Sequence, residues 1–359
     1  MKVLFDHQIF ASQKYGGVSK YFAELMHHLP QDSWILSNWL SNNEYAYELG
    51  LIQGRHFLAS HDFRGKGRIM AELGKPKSIV KLLRGKYDVY HQTNFDDYAI
   101  RYLGKKPMVT TYHDVNFLTE QNYNRRMDLW QHASLQRADK IVAISENTKK
   151  DILKFFKVDE NNIKVIYHGV DRFEIPETLK GRIIEHPYIL FVGNRHLFKN
   201  FETFAKAFST IASKYKDVHV ICTKSDFTAS ELDMFAKLEL TDRMHVIKAD
   251  EMTLARLYRD ALFFIFPSKY EGFGMPILEA FIRNCPVALS NTSCFPEIAG
   301  EAGAYFNPDD IEEMSEVMKR LLDDKDYRNE LACEGRVRAD DFSWEKCANE
   351  HYELYKTLA

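Results

Sequence analysis

The chain has 359 residues, 45% of them hydrophobic and 28% charged, and a net charge of −3. That length exceeds one ordinary core and implies two domains, while the near-neutral charge gives no global attraction to nucleic acid. No stretch approaches the ~20 apolar residues of a membrane-spanning helix, so a soluble or peripheral protein is expected. In chain order, "MKVLFDHQIF" reads as a first strand (2–5) rather than a signal peptide, because Asp6 and His7 break the apolar run. Further strands are expected at 87–91, 108–113, 140–145 and 163–167, then at 188–193, 218–223, 243–248, 261–266 and 286–290. Helical patterns fall at 17–29, 124–138, 146–156, 200–215 and 275–283. Apolar runs without alternation suit strands buried on both faces, so the fold class is α/β with doubly wound parallel sheets. "DRFEIPETLKGRIIEHP" (171–187), with two prolines, separates the two series. The expected domains are 1–175 and 176–342. Beyond Pro308 the pattern is helical, and 343–359 reads as a last helix that packs back on the first domain.

Two other features bound the reading. The five cysteines are odd in number and lack paired Cys-x-x-Cys spacing, which fits free thiols in a reducing cytosol. Residues 63–86, "FRGKGRIMAELGKPKSIVKLLRGK", carry eight Lys/Arg and one Glu with Ile79, Val80, Leu82 and Leu83 between them. Either a solvated helix face or a surface for anionic lipid headgroups accounts for that composition.

The informative stretch is "PSKYEGFGMPILEA" (267–280), after the buried run "ALFFIF". Glu271 and Glu279 are eight residues apart, and that spacing recurs at Glu177/Glu185, Glu231/Glu239 and Glu345/Glu353, so context must single this pair out. The pair follows a strand's carboxyl end, where open α/β sheets bind ligands. Gly272 and Gly274 permit close backbone approach, and Pro276 suits a helix start whose free N–H groups favour an anion such as phosphate. Carboxylates accept hydroxyl hydrogen bonds strongly, so the two acids read as sugar binders flanking a diphosphate.

Together with "YGGVSKY" (15–21), "YHDV" (112–115), "VAISENTKKDI" (142–152), "VIYHGVD" (165–171), "FVGNRHLFKN" (191–200) and "FSW" (342–344), this stretch resembles the retaining glycosyltransferases of family 4. The motifs appear in the family's order over nearly the whole chain. The resemblance implies the GT-B fold, two Rossmann-like domains facing a central cleft, the first binding acceptor and the second the nucleotide-sugar donor. It implies that Glu271 holds donor sugar hydroxyls, that Glu279 holds the ribose, and that Phe273, Gly274 and Met275 present backbone N–H groups. Arg195 and Lys199 would contact the diphosphate, Gly16 and Gly17 would close over it, and His113 would stand beside the reacting carbon. Each has a plainer alternative: a solvated loop for Arg195 and Lys199, a turn for the glycines, a satisfied strand-end histidine for His113. His168 and Asp171 read as hinge residues. The motif departs from many relatives in having Asn194 after Gly193 and Phe198 before Lys199, where they carry arginine.

The implied activity is transfer of a hexose, GDP-mannose being the first expected donor and UDP-sugars next, to a lipid-linked or oligosaccharide acceptor in O-antigen, capsule or lipopolysaccharide biosynthesis. No metal and no cofactor are expected, since Lys199, Arg195 and a helix start can stabilise the leaving diphosphate. The lone Asp-x-Asp, Asp324-Lys325-Asp326, reads as a helix junction. Cytoplasmic location, peripheral on the membrane's inner face, follows from the same resemblance. A nucleotide-sugar epimerase of the same fold and a non-catalytic nucleotide-sugar-binding partner are the rival readings. A dinucleotide dehydrogenase is disfavoured because no Gly-x-Gly-x-x-Gly follows a strand.

Overall fold

A computed structural model describes residues 1–38, 40–53, 56–61, 63–115 and 125–359. The chain folds into two compact units, Met1–Gly169 with Ser343–Ala359, and Val170–Phe342. The first holds β1 (Val3–Phe5), β2 (Trp34–Leu36), β3 (Val89–Gln92), β4 (Met108–Tyr112), β5 (Lys140–Ala143) and β6 (Ile163–Val165), in the order β2-β1-β3-β4-β5-β6. The second holds β7 (Tyr188–Phe191), β8 (His219–Thr223), β9 (Met244–Ile247), β10 (Phe263–Phe266), β11 (Val287–Ser290) and β12 (Gly303–Phe306), in the order β12-β11-β10-β7-β8-β9. Every pairing is parallel; Val3 stands opposite both Trp34 and Val89, and Ile189 opposite Phe263. Each unit is a Rossmann-like sheet with one switch in strand order, between β1 and β3 and between β7 and β10. Crevices at such switches are where doubly wound sheets bind ligands.

Strands β1, β3, β7, β10 and β11 are buried along their whole length. Their faces need apolar cover, which helix Phe201–Ala212 supplies to the second sheet with Phe204, Phe208 and Ile211 among its buried residues. Two strands escaped sequence expectation. Trp34–Leu36 is a half-buried edge strand of three residues, and Gly303–Phe306 opens on a glycine.

The units divide at Gly169/Val170 rather than at 175/176. Residues beyond 169 are tied into the second unit: Arg172 donates to Ala339 O at 2.8 Å and pairs with Asp340, and Arg283 donates to Phe173 O at 2.6 Å. Gly169 lies where the chain leaves the first unit, and the returning segment passes against it. A Cβ there would stand 2.2 Å from Trp344 N, so only glycine fits. Helix Trp344–Lys356 belongs to the first unit, held by His351 Nε2 to Tyr21 OH (2.8 Å) and by Tyr355 OH to His91 Nδ1 (2.6 Å). Asp324 caps helix Lys325–Arg338, accepting from Tyr327 N at 2.8 Å, which is the role of that Asp-x-Asp. All five cysteines are free thiols, and no described helix is long and apolar enough to cross a membrane.

Candidate active site

In the second unit the loop after β7 must turn sharply to meet the loop after β10. Gly193 (φ +113) makes the first bend and donates to Thr223 Oγ1 at 3.1 Å; Leu197 and Asn200 take left-handed conformations around a short 3₁₀ turn. Lys269 N then donates to Phe198 O at 2.7 Å, lacing the two loops together. The result sets Lys199 Nζ 2.5 Å from Glu271 Oε1, with side chains 20% and 14% exposed, at the β7/β10 switch. The ammonium also lies over the Phe266 and Phe198 rings at 5.4 and 5.1 Å, contacts that stabilise a partly desolvated cation. Backbone at Glu271 is clipped on both sides by Ser293, which accepts from Glu271 N (3.1 Å) and donates to Glu271 O (2.6 Å).

Gly274 then adopts φ +87, and a Cβ there would press on Ile277 and Phe295 at 3.1 and 3.3 Å. This left-handed residue turns the chain into helix Met275–Phe281, with Pro276 in its first turn. The helix is seven residues long, two shorter than its sequence pattern suggests, so its dipole is small and the lysine must carry more of any anion's charge. Phe273 is buried, its ring edge-on to Phe342 at 6.0 Å. Glu279 accepts from Tyr258 OH at 3.2 Å.

Arg195 goes elsewhere. Its guanidinium, 2% exposed, donates to Glu231 Oε1 at 2.6 Å and Oε2 at 3.3 Å, to Asp226 O at 2.9 Å and to Thr223 O at 3.4 Å. Four donor contacts are spent inside the protein, on the loop between β8 and helix Ala229–Lys237. Burial alone would raise the Glu231 carboxyl, but Arg195 and the Thr228 contacts hold it below its ordinary value. In the structure Arg195 braces the loop beside the β7 turn.

Two groups the sequence reading passed over sit at the same sheet edge. Ser268 and Ser290, after β10 and at the end of β11, are fully buried, and their hydroxyls have no hydrogen-bond partner among the described residues. Unmet buried hydroxyls are uncommon in folded proteins. The available signal was a serine closing an apolar run.

In the first unit the β1/β3 switch is knotted by Asp6. Its buried carboxylate accepts from Gln8 Nε2 (2.7 Å), Tyr90 OH (2.6 Å), Thr93 N (3.2 Å) and the Thr93 hydroxyl. That knot shapes a cavity of about 420 Å³ lined by Gln13, Asn94, Phe95, His113, Asp114 and Gln131 among others. His113 stands at the end of β4, edge-on to Tyr21 at 5.0 Å. Burial pushes its pKa down to about 3, so the ring is neutral, and its Nε2 has no hydrogen-bond partner among the described residues. Gly16 and Gly17 lead into helix Gly17–His28, where Gln13 Oε1 accepts from Ser19 N at 3.1 Å. Of the predicted residues, Gly16, Gly17 and His113 thus belong to the first unit, and Lys199, Glu271, Phe273, Gly274, Met275 and Glu279 lie on two adjoining loops and a helix of the second. Among the described residues no group of three or more His, Cys, Asp or Glu is arranged to hold a metal ion.

Comparison with known proteins bears on the family and the fold. The family described as "Glycosyltransferase Family 4" matches residues 15–172, and "Glycosyl transferases group 1" matches residues 179–338. The chain is 28% identical to the O-antigen chain mannosyltransferase B of Escherichia coli, over 75% of this chain and 74% of that protein. Among solved structures it resembles Alr3699/HepE of Anabaena in complex with UDP-glucose (TM-score 0.76, 16% identity, all of both chains). It also resembles the sucrose-phosphate synthase of Thermosynechococcus elongatus (TM-score 0.75, 20% identity, 100% and 99% of the two chains). At those identities the structural likeness speaks to the fold.

Proposed function

The chain belongs to the family 4 glycosyltransferases, of GT-B fold, and from that premise we propose that it moves a hexose from a nucleoside-diphosphate sugar to a lipid-linked or oligosaccharide acceptor of a cell-surface polysaccharide, with retained anomeric configuration. GDP-mannose is the first donor we propose, in line with the mannosyltransferase named among its relatives. The observation that carries the proposal is the Lys199–Glu271 pair at the β7/β10 switch.

The chemistry follows from charge. As the bond from anomeric carbon to phosphate oxygen breaks, negative charge grows on the departing diphosphate and positive charge on the sugar ring. Before donor binds, Glu271 pairs with the half-buried ammonium, so the lysine is held in place and aimed. On binding, the diphosphate takes over the ammonium and the carboxylate accepts bonds from sugar hydroxyls. One preorganised donor of this kind is worth about 2.7–4 kcal/mol in the transition state. The backbone of Phe273, Gly274 and Met275 faces sugar and phosphate in this proposal, and Glu279 the ribose. No obvious nucleophile is needed if the leaving phosphate assists attack on the same face by the acceptor hydroxyl. The acceptor is assigned to the Asp6-knotted cavity of the first unit, where neutral His113 offers Nε2 as a hydrogen-bonding atom. We further propose that Lys199 serves without a metal ion, and that the protein works on the cytoplasmic side, where five free thiols are stable.

The experiment supplies mass-tagged GDP-mannose and UDP-sugars to purified protein with a membrane lipid extract, with and without chelator. Chelator-resistant transfer to lipid, with the donor's anomeric configuration kept, is expected. Epimerised sugar without acceptor would identify an epimerase instead, and tight donor binding without turnover a binding partner.

A further inference from the structure

Helix Glu251–Asp260 packs against helix Met275–Phe281 in the second unit. Asp250 starts the longer of the two, its carboxylate accepting from Thr253 N at 2.8 Å, and Ala255, Leu257 and Tyr258 make its buried face. The Tyr258 ring stands edge-on to Phe264 of β10 at 5.4 Å, as a core aromatic does. For packing alone a phenylalanine would serve. A hydroxyl taken out of water costs free energy unless a partner meets it, and here the partner is Glu279 Oε2 at 3.2 Å.

Glu279 is half-buried, between neighbours Leu278 and Ala280 that are fully buried. Its long side chain has several torsions to order before the carboxylate can accept two bonds at once. Arg283, one turn further along the chain, donates to Phe173 O at 2.6 Å and lies over the Phe173 ring at 4.3 Å. From across the helix pair, Tyr258 grips one carboxylate oxygen of Glu279. Burial first, and the charge of Glu279 next, hold the Tyr258 phenol well above its ordinary pKa, so it stays a hydrogen-bond donor.

We propose that Tyr258 is a positioning residue for the nucleotide's ribose: by donating to Glu279 Oε2 it fixes the carboxylate's rotation, so that the neighbouring ribose hydroxyls meet an acceptor already aimed. A preset acceptor spares the ordering of a long side chain at the moment of binding, and affinity rises by that saving. The inference rests on the reading of Glu279 as the ribose's acceptor and adds the residue that sets its direction.

The test uses titration calorimetry on the full chain, with GDP, UDP and their dideoxyribose counterparts, which lack the ribose hydroxyl pair. The readout is the ratio of ribose to dideoxyribose affinity, which a general loss of stability does not move. In the parent, the better-bound nucleotide should prefer ribose by at least about tenfold. Tyr258→Phe, which keeps the ring and removes the hydroxyl, should cut that ratio about threefold to tenfold and leave dideoxyribose affinity unchanged. Tyr188→Phe is the control, because its buried hydroxyl donates to Leu257 O of the same helix at 2.8 Å; the ratio should match the parent's. Glu279→Gln should lower the ratio by itself, and adding Tyr258→Phe should lower it no further. A parent ratio near one, or no binding of either nucleotide, would sink the Glu279 reading and this inference with it. A parent that prefers ribose, with Tyr258→Phe preferring it equally, overturns the inference alone. So does an equal fall in Tyr188→Phe, or a further fall in the double variant, since Tyr258 would then act on the helix at large and not through Glu279.

Discussion

Lys199 and Glu271 form an ion pair although 72 residues separate them, because the loops after β7 and β10 meet where the second sheet reverses its strand order. A half-buried carboxylate and ammonium at that place are a charge store that a donor can take over. Glu271→Gln keeps the shape but halves the exchange: the lysine stays, and the acceptor of sugar hydroxyls weakens. Turnover with saturating donor should fall about a hundredfold, with nucleoside diphosphate affinity changed far less, as steady-state kinetics and calorimetry would show.

Arg195 should behave differently. Removing one partner of a buried ion pair strands the other, at about 3–5 kcal/mol. Arg195→Ala is therefore expected to lower the urea midpoint sharply, and adding Glu231→Ala should cost little more. A double-mutant cycle checks this; additive losses would show that the two side chains act separately.

His113 has a buried Nε2 without a hydrogen-bond partner among the described residues. His113→Ala should keep the parent's melting temperature within a few degrees while transfer falls at least about a hundredfold, the lower end of what a lost positioned group costs. Melting curves and initial rates on the same preparation provide the check.

The first unit carries a buried histidine cluster, His91, His113, His168 and His351, each held below its ordinary value chiefly by burial. His113 is pushed down to about 3 and His351 to about 4. The unfolded chain takes up protons near pH 6.5 that the native state refuses, so the stability is fully present above that value and falls as pH drops below it. Each histidine contributes about 1.4 kcal/mol per pH unit there, roughly 5 for four. Urea midpoints measured from about pH 8 to about pH 5 should be flat at first and then fall, and His351→Gln should make the fall shallower by one proton's worth.

The sequence revealed those parts of this molecule that local pattern controls. Ten of the twelve strands among the described residues stand out as apolar runs; Trp34–Leu36 and Gly303–Phe306 do not, being a half-buried edge and a strand opened by glycine. The placement of Glu271 and Gly274 between a buried strand and a helix start was legible from the run that precedes them and the proline that follows. Arg195 was not, because its direction is decided by Glu231, 36 residues away on another helix, and no spacing rule reports that contact. Asp6 was missed for the same reason: its partners Tyr90 and Thr93 lie more than 80 residues on, and only the β1/β3 pairing brings them together.

The central claim is that Lys199 and Glu271 cradle a nucleoside diphosphate at the β7/β10 switch. Titration calorimetry of GDP and UDP into the parent and into Lys199→Ala tests it most directly. Saturable binding by the parent, weakened at least about tenfold in Lys199→Ala with the fold intact, is the predicted result. Equal affinity in both proteins would contradict it.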